Sequence, residues 1–260
     1  MSNVALVFNG HCRTFCDHIV SLHRNIIDVC DCDVLISTWS NIDGGFSQDM
    51  RSPPALNKEL INKLCSVKNF EKLTITAQHR HSEVKDISRS FRSYSTFPAK
   101  PWFLSAGLYA RKLSSDMLKE HELLRGKPYD SIICMTMDNC VLTPIDNVLL
   151  STKDTLFTQY PDHIKKRGIA TAGRLVFGDR ETMKFWLDMY DVFETYAAQV
   201  PQGVITMEKT VGHAILNSGI KFADAQISYD LVRMNGIRVR YDHTKPQEYT
   251  IKRNSPRCGC

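Results

Sequence analysis

An acid placed just beyond an apolar run is the first feature of this sequence that could do chemistry. Tyr129-Asp130-Ser131-Ile132-Ile133-Cys134-Met135 reads as a buried strand and gives way to Thr136-Met137-Asp138-Asn139-Cys140. In open α/β sheets ligands bind beyond the carboxyl ends of the strands. Asp138 is placed there to hold a hard cation, Mg2+ or Mn2+, with diphosphate oxygens completing its shell. The other reading is a plain turn, which an Asp-Asn pair favours whatever the function. A second candidate is the exit of the first strand, Asn9-Gly10-His11-Cys12-Arg13-Thr14-Phe15. Gly10 would let backbone approach a ligand, Arg13 would grip a phosphate, and Thr14 would cap a helix whose N-terminus favours anions. A simple strand-to-helix turn explains the same residues. Neither a dinucleotide fingerprint nor a P-loop is present. Trp39, at the same edge, could stack a base or a sugar or pack into the core.

These residues need an α/β layered domain to position them, and the chain alternates short β-rich runs with helical patterns. Strands are expected at Val4–Phe8, Asp33–Ser37, Leu73–Thr76, Tyr129–Met135, Thr155–Thr158 and Arg174–Phe177, with late strands around 225–232 and 237–240. One helix is expected from Thr14 to Val29. A second runs from Lys100 to Leu124 with Phe103, Ala106, Ala110, Leu113 and Met117 on its buried face and Arg111 and Lys112 in solvent. A third, capped by Asp179, buries Met183, Trp186, Leu187, Tyr190 and Phe193, and a last one runs from Thr206 to Ser218 before Gly219. Segments 41–54 and 79–97 read as loops able to close over a ligand. With no repeat and no linker, one domain is the simplest count.

Composition removes several classes. The 260 residues are 43% hydrophobic and 23% charged, ordinary globular values. No apolar run nears the roughly 20 residues of a membrane span, and the start lacks a signal-peptide pattern. Net charge is +5, from 33 basic and 28 acidic residues. The basic residues form only small clusters, Lys165-Lys166-Arg167 in an expected solvated loop and Arg238/Arg240, so no nucleic-acid face is expected. Nine cysteines are an odd number. Cys30, Cys65, Cys134 and Cys140 read as small buried hydrophobes, and Cys30/Cys32 and Cys258/Cys260 lack zinc spacing. His79-Arg80-His81 likewise lacks the spacing of a zinc site. A reducing, cytoplasmic setting is expected.

Four segments together resemble a group of glycosyltransferase-like proteins that includes WavE-type lipopolysaccharide-synthesis proteins and proteins of large DNA viruses such as chlorella viruses. They are Gly10-x-x-Arg13-Thr14-Phe15, Asp33-Val34-Leu35-Ile36-Ser37-Thr38-Trp39, Tyr129-Asp130-x-Ile132-Ile133 with Asp138 following, and Phe177-Gly178-Asp179-Arg180-Glu181-x-Met183. The resemblance implies a GT-A-type, Rossmann-like fold: a mostly parallel sheet flanked by helices, with a donor-binding half over about 1–140 and an acceptor-binding half over about 141–260. It implies transfer of a sugar from a UDP- or GDP-linked donor to an oligosaccharide or glycoprotein glycan, and a viral source. Asp138 takes the place of the acid that holds Mn2+ or Mg2+ on the donor diphosphate. Glu208 matches the glutamate that opens the late helix, hence a candidate base, although the helix dipole alone favours a glutamate there; Asp179 and Asp224 are weaker alternatives. His243 sits where some GT-A enzymes supply a metal-binding histidine, or is a surface histidine. Arg233 matches a basic residue able to meet phosphate, or is a surface charge.

The sequence departs from this pattern at Thr136, where an arginine is usual, and at Ala172-Gly173-Arg174, where an aspartate often stands. The first weakens the grip on the donor and the second removes a candidate base. A non-catalytic carbohydrate- or nucleotide-binding protein on the same scaffold is the alternative those departures support.

Overall fold

Period-two alternation along the strands builds one sheet with a separate apolar core on each face. The computed structural model describes residues 3–42, 54–77, 101–168, 170, 174–197, 207–232, 238–245 and 249–251; for 101–106, 197, 207 and 249–251 only the backbone is described. The strands are β1 Val4–Gly10, β2 Asp33–Trp39, β3 Phe70–Thr76, β4 Ser131–Thr136, β5 Asn139–Val141, β6 Thr155–Thr158, β7 Leu175–Asp179, β8 Lys221–Asp224, β9 Tyr229–Val232, β10 Arg238–Tyr241 and β11 Tyr249–Ile251. The α-helices are α1 Ile19–Leu22, α2 Asp28–Cys30, α3 Lys58–Cys65, α4 Pro101–Arg125, α5 Asn147–Leu150, α6 Pro161–Arg167, α7 Arg180–Leu187, α8 Met189–Ala197 and α9 Met207–Ser218.

The main sheet has the order β3-β2-β1-β4-β7-β6-β8. Its strands run parallel except β7, which is antiparallel to both β4 and β6. Six strands therefore end on one edge, and β7 alone begins there. Ala5, Val7, Leu35, Ile132, Cys134 and Val176 face the core shared with α4, α7, α8 and α9. Leu6, Phe8, Val34, Ile36, Ile133 and Met135 face the other, roofed by the helical run before β2 and by a second sheet of order β11-β10-β9-β5. The α/β expectation is met: a mostly parallel sheet flanked by helices, in a single domain. No described helix is long and apolar enough to cross a membrane.

Two expected helices are broken, each for a polar reason. In place of one helix over 14–29 stand a 3₁₀ turn (Phe15–Asp17), α1, a π turn (His23–Ile27) and α2. The wide turn lets Asn25 donate to the Val141 carbonyl at 2.7 Å, which Ser21 also reaches. The helix after Asp179 divides at Asp188, whose carboxylate accepts from Ser115 at 2.6 Å and Lys119 at 3.0 Å on α4. Asp179 caps α7 as expected, accepting from the amides of Glu181 and Thr182.

Apolar spacing misplaces part of the buried face of α4, on which the side chains of Phe103 and Ala106 lie outside the described residues. Leu108, Ala110 and Met117 are buried, but so are Arg111, Ser114 and Ser115, whereas Leu113 is only partly covered. Arg111 lies over the Trp186 ring, 4.3 Å from its centre, so its burial is a stacking contact that a hydropathy pattern cannot register. Lys112 is partly exposed and pairs with Asp191 at 3.2 Å. Cys65 is exposed and Cys140 is disulfide-bonded, so neither is a buried thiol. Lys165-Lys166-Arg167 is the exposed last turn of α6 rather than a loop.

Close approach of α6 and α9 depends on Gly212. A Cβ there would collide with the backbone of Gly168 and the amide of Ala170. Gly212→Ala is expected to lower stability by about 3 kcal/mol, the upper range of overpacking. Urea unfolding measures it, and a loss below about 0.5 kcal/mol would mean that α6 and α9 move apart freely.

Candidate functional site

The order β2-β1-β4 makes the gap between β1 and β4 the point where the chain switches direction across the sheet, and such points are where ligands enter. Asn9 and Thr136 are register partners on these strands. Two residues past Thr136 and four past Asn9, Asp138 and Arg13 meet. Arg13 Nη1 donates to Asp138 Oδ2 at 2.8 Å, and Thr136 Oγ1 donates to Oδ1 at 2.8 Å. The carboxylate is only 4% exposed and the arginine side chain 15%. Arg13 holds φ +24°, a left-handed value that a side chain adopts at a cost, and its amide is tied to the Ile42 carbonyl at 3.0 Å. Thr136, the position where the resemblance departs from its usual arginine, thus orients the acid.

The same turn anchors the second sheet. Val232 donates its amide to the Asp138 carbonyl at 2.8 Å, and Thr14 Oγ1 donates to the Val232 carbonyl at 2.9 Å. Thr14 therefore joins two layers and does not cap a helix; the helical turn after it spans only three residues. Gly10 is required for its φ of +96°, since a Cβ would meet nothing within 4 Å, and its carbonyl accepts from Thr38 Oγ1 at 2.9 Å. Trp39 is 5% exposed, with His11 at 6.1 Å and Tyr109 at 6.5 Å between ring centres, so packing is the role its placement gives it. On β9, Asp230 is 1% exposed and binds Arg240 at 2.7 Å and Arg238 at 3.7 Å. Asp230 is thus shared by two arginines.

Other candidates lie apart. Glu208 begins α9, which runs back from the same edge; it is half-buried, and its charge acts on the buried guanidinium of Arg111. Burial holds Arg111 down to about 10, with Cys134 and Glu208 opposing that shift. Asp179 is at the opposite edge and is fully engaged as a cap, so it is removed as a base. His243 is exposed, with Nδ1 bonded to Ser228 Oγ at 2.8 Å, and lines a cleft with Asp224 rather than joining Asp138. Arg233, and the loops expected over 41–54 and 79–97 almost entirely, lie outside the described residues. Cys12, beside Arg13, is no nucleophile: burial foremost, then the neighbouring Cys16, pushes its thiol up to about 12.

Sequence reading missed Gln159, Tyr160 and Arg174. Gln159 and Tyr160 leave the carboxyl end of β6, with Tyr160 at φ +51° before the proline that opens α6. A strand followed by two polar residues and Pro161 was the available signal. As a cation site, the described residues offer Asp138 singly; no group of three or more His, Cys, Asp or Glu side chains is assembled among them. Asp138 is an oxygen donor of the hard type that Mg2+ or Mn2+ takes, and Arg13 occupies its Oδ2. No protein-family model matches the chain, and no curated protein matches it.

His18 lies against this turn, with Nε2 3.1 Å from the Met137 carbonyl, and burial foremost holds its imidazole down to about 4. The unfolded chain binds this proton near 6.5, before the fold does. The contribution of His18 is therefore complete above pH about 6.5 and lost as pH falls toward about 4, about 3 kcal/mol in all. Urea unfolding at pH about 7.5 and about 4.5 should show wild type losing some 2 kcal/mol more than His18→Gln. Equal losses would mean that the folded imidazole is already protonated.

Proposed function

We propose that this protein is a glycosyltransferase that moves a sugar from a nucleotide-sugar donor to a glycan acceptor. The observation that carries the reading is the Arg13–Asp138 pair at the switch point between β1 and β4. A guanidinium there is suited to a diphosphate, which it can meet with two parallel hydrogen bonds. Arg238 and Arg240 add to the attraction for an anionic donor. The four sequence segments that resemble glycosyltransferase-like proteins supply the sugar; the site's charge supplies the diphosphate.

In this reading Arg13 turns from Asp138 to the donor phosphate, and Thr136 keeps Asp138 in place. Asp138 would then be one oxygen ligand to Mn2+ or Mg2+, which when bound would neutralise charge on the departing diphosphate. Gly10 and Thr14 hold the backbone that carries Arg13. The acceptor hydroxyl needs a carboxylate within hydrogen-bond reach to take its proton. Glu208 is the proposed base, and Asp224, at the end of β8, is an alternative carboxylate on this edge.

Thermal unfolding with UDP, GDP or CMP, each with and without Mn2+, tests the reading. One nucleotide at about a hundred times its Kd is expected to raise Tm by about 5 °C, more with Mn2+ present. Asp138→Asn should abolish the Mn2+ increment while its own ligand-free Tm reports whether the fold survives. If none of the three nucleotides shifts the protein, the donor site is not here. A nucleotide shift without turnover of any nucleotide-sugar would replace the transferase by a binding protein on the same scaffold.

A further inference from the structure

The turn from α2 into β2 carries two cysteines that the proposed chemistry leaves unused. Asp31 caps α2 with a left-handed backbone, φ 45° and ψ 49°, so Cys30 and Cys32 stand on either side of a tight turn. Hydrogen bonds hold that turn from both directions. The Asp31 amide donates to the Ile27 carbonyl at 2.9 Å, while Asn69 Nδ2 donates to Asp31 Oδ1 at 3.0 Å and to the Cys32 carbonyl at 3.2 Å. Val34, on β2, donates its amide to the Asn69 carbonyl at 2.8 Å. Within this frame the two thiols meet and hydrogen-bond to each other.

Their surroundings differ, and the difference gives each a role. Cys32 is fully buried, whereas Cys30 is partly exposed. As a thiol, Cys30 donates to the Ile26 carbonyl at 3.2 Å. As a thiolate it accepts from the Cys32 thiol foremost and from the amides of Cys32 and Cys30, which hold it below the ordinary thiol value against burial and the charge of Asp31. The same thiol–thiol bond, then burial, pushes Cys32 up, so it stays protonated beside a Cys30 thiolate. Cys12, Cys16 and Cys134 are instead all pushed up, by burial first. An accessible thiolate next to a protonated thiol is what a dithiol needs to exchange with a disulfide. A disulfide joins Cα atoms about 5.5–6 Å apart, and a residue turned out of the extended form shortens the separation of its two neighbours toward that span.

We propose that Cys30 and Cys32 form a thiol–disulfide exchange site that takes small neutral disulfides. The carboxylate of Asp31, between the two thiols, disfavours an anionic partner. The Cys30 thiolate attacks one sulfur of R–S–S–R: that S–S bond breaks, a Cys30–S–S–R bond forms and RS− leaves. The departing RS− takes the Cys32 proton. The Cys32 thiolate then attacks the Cys30 sulfur, closes Cys30–S–S–Cys32 and releases a second RS−, which takes a proton from water. Two electrons have passed from the dithiol to the substrate, which departs as two thiols. The pair stands at the opposite edge of the sheet from Asp138 and is independent of sugar transfer.

Trypsin cuts after Arg24 and Arg51, and the peptide 25–51 between them holds Cys30 and Cys32 and no other cysteine. The folded protein, reduced and freed of reductant, is exposed for timed intervals to bis(2-hydroxyethyl) disulfide. Its remaining thiols are then alkylated and the peptide is weighed. Peptide 25–51 should become two hydrogens lighter than the dithiol, several-fold faster than the exposed Cys65 gains the hydroxyethyl thiol, and a thiol reductant should restore it. Cys32→Ser should stop at the mixed disulfide on Cys30, and Cys30→Ser should leave Cys32 unmodified, while the Tm of each variant reports that it is folded. Recovery of the peptide with both cysteines alkylated, or reaction at Cys30 no faster than at Cys65, overturns the proposal. A mixed disulfide that persists on Cys30 of the unaltered protein overturns it too, because Cys32 then fails to resolve it.

Discussion

An ion pair between Arg13 and Asp138, closed over the crossing of β1 and β4, is the constraint on which the rest of the molecule hangs. Both partners are largely withdrawn from water, so removing either one takes a charge partner from the other, a loss of about 3–5 kcal/mol in comparable buried pairs. The pair also fixes backbone that would otherwise relax. Arg13 stays in a left-handed conformation because its amide and its guanidinium are held at opposite ends. In the proposed chemistry this arginine is the group that exchanges a carboxylate for a phosphate, which links the turn's backbone to the reading of function.

From this one turn the second sheet is hung. Asp138 and Met137 each give a carbonyl, to Val232 and His18, and Thr14 clasps Val232 from β1's side. The chain leaves the main sheet at β4 and enters β5 within two residues, so the corner that holds the acid is also the hinge line between layers. Arg174 repeats the logic one strand further on, with its backbone on the first layer and its side chain on the second. The candidate site is thus made of connections between layers, which is why its residues are polar yet buried.

What was legible followed from local rules. Apolar runs marked β1, β2 and β4; an aspartate just after a strand marked the cap at Asp179; and Gly219, at φ +73°, closed α9 as expected. The acid at Asp138 was visible from its place after an apolar strand. The rest was set by partners far along the chain. Nothing within residues 174–179 says that β7 runs antiparallel, and Thr14 looks like a cap until Val232 is beside it. Arg111 reads as solvated by hydropathy because the ring it covers is seventy-five positions away, at Trp186. Gln159 carried no motif; only burial made its unused amide conspicuous.

The late insertion of β7 has a consequence for how the chain comes off the ribosome. By residue 136 the first four strands of the main sheet exist, and β4 is paired on one side only, with β1. Its other edge, carrying Ile132, Ile133, Cys134 and Met135, waits for Leu175–Asp179. Roughly forty further residues must be made first, a few seconds of synthesis. For that interval the centre of the future sheet is an open apolar edge, the kind of surface on which a neighbouring chain can add a strand. Yield in expression, more than stability once folded, is where that interval is felt, and a slower ribosome over 137–175 would lengthen it.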